Sequence, residues 1–89
     1  MITAAQMRAA RALAGIDQKT LAERAGVSLP TIQRMEASDG VVRGVVDTLM
    51  KVIQALDEAG VELIGENERG GRGVRLKPAV PPGPKAEPA

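Results

Sequence analysis

Apolar residues recur at three- and four-residue steps from Met7 to Leu56, and beyond Gly60 they alternate with polar ones, so the chain reads as helices followed by short strands. Met7, Ala10, Leu13 and Ala14 share one face of a first helix, which Thr3 caps and Gly15 stops. Asp17 caps a second helix whose apolar face is Leu21, Ala22 and Ala25. Gly26 follows where a tight turn requires positive φ, and Ala22 is small where two helices would cross most closely. Ser28 offers the N-cap of a third helix, Pro30 falls in its first turn, and Val27, Ile32 and Met35 supply its apolar face. That helix is expected from about Leu29 to Ala37.

The turn residues of Ser38–Gly44 predict a loop in which Val41 and Val42 are partly buried. A fourth helix follows, with Val46, Leu49, Ile53 and Leu56 inward, Asp47 as early negative charge, and an end at Gly60. Val61–Ile64 and Val74–Leu76 alternate as strands around the glycine-rich Gly65–Gly73, which predicts a hairpin. Two strands alone are marginal in water, so they must pack on the helices or pair with a second copy. The expected fold is mainly α: a four-helix domain over residues 1–60, a β-hairpin over 61–77, and a disordered proline-rich tail over 78–89.

Composition narrows the chemistry. The chain has no Cys, His, Phe, Trp or Tyr, so disulfides, thiol nucleophiles, imidazole bases and most zinc sites are excluded together, and no cofactor is expected. An enzyme is left with Ser28, Ser38 and threonines but no histidine base, and Ser28 already has work as a cap; the reading is non-catalytic. No stretch approaches the roughly 18 apolar residues of a membrane span, so a cytoplasmic protein without membrane contact is expected. Glycines 70, 71 and 73 lack the following helix and lysine of a phosphate loop. Net charge is only +1, but up to Gly44 six basic residues face four acidic ones, whereas beyond it six face seven. The first half is mildly positive, which permits contact with a polyanion.

Two short helices joined at Gly26 form the geometry that presents a helix to a DNA major groove. The ordered set Gln18, Leu21, Ala22, Gly26, Val27, Ile32 and Met35 resembles the Cro/C1-type helix-turn-helix regulators, the XRE family, over roughly Thr3 to Leu56. The resemblance implies a structural ion pair between Arg11 and Glu36, with Ala22 and Gly26 shaping the motif. It places base contacts at Ser28, Leu29, Pro30, Thr31, Gln33 and Arg34, and phosphate contacts at Gln18, Lys19 and Arg43. Arg34 suits guanine and Gln33 adenine, each bidentate, and Thr31 suits a base edge or a thymine methyl. Leu29 and Pro30 depart from the polar readers of several relatives. The cluster Arg69, Arg72, Arg75 and Lys77 lies among Glu62, Glu66 and Glu68 and reads as a solvated hairpin tip.

The implied function is sequence-specific binding of double-stranded DNA, as a homodimeric transcription repressor on a palindromic operator. Helix four and the Val61–Leu76 region are the expected dimer surface. A rival reading is a protein-interaction module, an antitoxin or anti-activator on the same scaffold, favoured by low net charge and by Leu29 and Pro30.

Overall fold

The computed structural model describes residues 2–78. Four helices, α1 (Ala4–Ala14), α2 (Gln18–Ala25), α3 (Leu29–Glu36) and α4 (Val46–Glu58), precede two strands, β1 (Val61–Ile64) and β2 (Gly73–Leu76). The strands form one antiparallel hairpin within the chain, with Val61 opposite Leu76 and Ile64 opposite Gly73. The proline-rich tail expected from residue 78 lies, from Ala79 onward, outside the described residues.

Each helix boundary has a local cause. The Thr3 hydroxyl accepts from the Gln6 N–H and the Gln6 side chain accepts from the Thr3 N–H, which closes a capping box at α1. The Asp17 carboxylate accepts the Thr20 N–H at 2.7 Å, and the Ser28 hydroxyl accepts the Thr31 N–H at 3.2 Å. Pro30 occupies the first turn of α3, where it forfeits no helical bond. At Gly26 the backbone turns left-handed, φ +72°, and returns its N–H to the α2 carbonyls.

The helices and the hairpin enclose one core, in which Ile2, Met7, Leu21, Ile32, Val52 and Leu56 are fully buried. Burying a side chain of that size contributes about 1.5–3 kcal/mol, and aliphatic packing supplies what the missing aromatic residues do not. Two expected core positions move outward: Leu13 is 42% exposed and Val46 65% exposed. On α4 the inward face is Leu49, Val52, Ala55 and Leu56, with Ile53 half-buried. Apolar residues surround more than one face of that helix, and its neighbours, not its periodicity, select the buried one. Of the two loop valines, Val42 is buried and Val41 is exposed.

Two long-range ties set the frame around α3. The Val42 N–H donates to the Ile2 carbonyl at 2.9 Å, and the Ala4 N–H to Gly40 at 3.0 Å, so the loop after α3 is stitched to the start of α1. Gln6, also buried, donates through Nε2 to the carbonyls of Ile64 and Gly73 and thereby clamps the hairpin onto α1.

Candidate nucleic-acid interface

The α3 helix divides cleanly between the core and solvent. Ile32, Met35 and Glu36 are buried, whereas Pro30, Gln33 and Arg34 are exposed, a spacing that places these three on one outward face. Thr31 is half-buried, and its hydroxyl lies 2.8 Å from that of Ser28, so these two side chains satisfy each other at the helix start. Leu29 is half-buried and packs against the core. Of the two apolar positions in the expected reading set, only Pro30 is exposed.

Past α3, the loop folds back to form a groove of about 270 Å³ whose walls include Thr31, Arg34, Ser38, Arg43, Val45 and Thr48. The Ser38 hydroxyl donates to the Arg34 carbonyl at 3.2 Å and ties this wall to the end of α3. Arg34 and Arg43, assigned different tasks in the sequence, therefore line a single feature. Lys19 is exposed in the first turn of α2 and does not line that groove.

The end of α3 is anchored by charge. Arg11 donates to the Glu36 carboxylate through Nε at 2.7 Å and through Nη2 at 2.8 Å, a forked pair in which Glu36 is only 4% exposed. Arg11 also reaches the Ile16 carbonyl at 3.3 Å. The hydrogen bond to Glu36, joined by its charge, holds the Arg11 guanidinium above its ordinary pKa despite partial burial. Removing either partner leaves the other poorly satisfied, at a cost of about 3–5 kcal/mol where the remaining charge is buried.

Two donors to Glu36 lie outside the sequence expectation. Arg8 donates through Nη1 to the Glu36 backbone carbonyl, and Gln18 donates through Nε2 to the carboxylate at 3.1 Å. Arg8 lies three residues before Arg11 and so shares its helix face, a signal that could have found it. Gln18 carried no such signal, because its partner lies on another helix.

Ion pairing is uneven along the chain. Among the described residues, Lys19, Arg24, Arg34 and Arg43 enter no ion pair, whereas Lys51 pairs with Asp47, Arg75 with Glu62, and Lys77 with Asp57. The Arg75–Glu62 pair spans the hairpin, and that contact draws the Glu62 carboxyl below its usual range. Local acids thus neutralise part of the basic cluster near the hairpin, and the cations around α3 keep their charge free.

A family model described as a helix-turn-helix domain matches residues 3–63. A search of curated proteins finds no match.

Proposed function

Because the chain belongs to the helix-turn-helix family of XRE/Cro-like regulators, we propose that it binds double-stranded DNA sequence-specifically through the outward face of α3 and represses transcription by occupying an operator. The observation that carries this reading is the exposed Gln33 and Arg34 beside a groove shared with Arg43, with no acidic partner taking up either arginine among the described residues.

In this account Arg34 and Gln33 read base edges, each worth about 1–3 kcal/mol of discrimination. Thr31 and Ser28 stay near the DNA as a hydrogen-bonded pair, Pro30 supplies apolar contact, and Leu29 serves the core more than the groove. Lys19 and Arg43 neutralise phosphates. The protein acts as a homodimer whose two α3 helices enter successive major grooves about 34–36 Å apart, so the operator is a near-palindrome. The subunit contact uses the outer stripe of α4, where Val46 and Met50 are 65% and 54% exposed, together with the hairpin. The inward packing of Leu29 removes one of the two apolar residues that favoured a protein-docking role for α3.

Titrating a labelled duplex pool at several salt concentrations tests the reading. Affinity should fall steeply with salt, and Lys19→Ala should weaken binding to every sequence while lowering the log–log slope by about one phosphate. Binding that barely responds to salt would move the protein to the interaction-module class.

A further inference from the structure

The Glu36 carboxylate is where three helices meet. It lies on the last residue of α3 and is 4% exposed. It receives the Arg11 fork from α1 and the Gln18 amide from the first residue of α2, while Arg8 of α1 bonds its backbone carbonyl. From this geometry we propose that Gln18 is a positioning residue: it acts through Glu36 to fix the roll of α3. The proposal rests on the DNA-binding reading above and refines one residue of it.

The Arg11 fork and the Arg8 bond to the backbone both come from α1, so they fix the end of α3 to that helix but tie it to nothing on the side of α2. A third donor to the carboxylate, from a different helix, at 3.1 Å and directed to Oε1, closes a triangle and opposes rotation of α3. The tolerance is small. A roll of about 10° carries a guanidinium held roughly 8–10 Å from the helix axis through about 1.5 Å, enough to spoil a bidentate contact with a base. Gln18 is half-buried, and this bond commits one of the two N–H groups of its amide to the Glu36 carboxylate.

Gln18→Met keeps length and helix propensity while deleting the donor. Its affinity is measured for a duplex selected from a random pool by the unaltered protein and for a scrambled duplex of the same composition, well below the melting temperature. A positioning role predicts about tenfold loss on the selected duplex and little change on the scrambled one, so specificity falls. In the Arg11→Met/Glu36→Met background, where apolar residues replace the ion pair, Gln18→Met should cause no further loss. Equal losses on both duplexes, or an undiminished loss in that background, would assign Gln18 to a phosphate after all. A lower melting temperature with unchanged specificity would reduce it to a fold contact and overturn the proposal. Failure of the unaltered chain to bind any duplex would overturn the DNA-binding reading itself, an outcome distinct from either.

Discussion

The Asp17 carboxylate caps α2 and titrates. Its oxygen accepts the Thr20 N–H at the start of α2, and that hydrogen bond holds its pKa below the usual carboxylate value. The folded state therefore binds its proton more weakly than the unfolded chain does, so the contribution is complete above the unfolded pKa and is lost as pH falls through the lower folded one. Glu62, lowered by Arg75, adds in the same direction. Melting temperature should fall on acidification below about pH 4, and Asp17→Asn, which caps without titrating, should flatten that decline while changing little at pH 7. An unchanged acid profile in Asp17→Asn would show that the cap does not contribute this way. Caps of this kind were legible because they depend on residues three apart. The Gln18–Glu36 bond was not, since 18 positions separate its partners and only the folded chain brings them together.

At the scale of the element, the turn between α2 and α3 depends on Gly26 at φ +72°. A Cβ built there meets nothing within 4 Å, so any penalty on substitution comes from backbone conformation and not from a clash. Gly26→Ala should cost about 1–2 kcal/mol in urea unfolding, and Gly26→Asn should cost less because asparagine tolerates the left-handed region. Equal stability of Gly26→Ala and the parent would remove the conformational argument. The same glycine was visible in the sequence as a break between two apolar faces, and the strand alternation after Gly60 gave the hairpin. The inward face of α4 was harder to read. Val46, Met50, Val52 and Ile53 make it apolar on several sides, and the choice among them is made by α2 and β1 packed against it. Nor did the sequence reveal that Gln6 completes the cap of α1 and holds both strands of the hairpin with one amide.

For the whole molecule, a net charge of +1 understates the electrostatics because pairing is uneven. Arg11, Lys51, Arg75 and Lys77 find acids within the chain, while Lys19, Arg24, Arg34 and Arg43, like Arg69 and Arg72 near the hairpin tip, find none among the described residues. Composition counts cations; only the fold decides which remain available to a polyanion. The central claim is that α3 reads bases with Arg34, and discrimination by Arg34→Ala between a duplex selected by the parent protein and its scrambled counterpart tests it most directly. The account predicts a fold unchanged by circular dichroism, weaker binding to the selected duplex, and a specificity ratio reduced about tenfold or more. A folded Arg34→Ala that discriminates as well as the parent would contradict it.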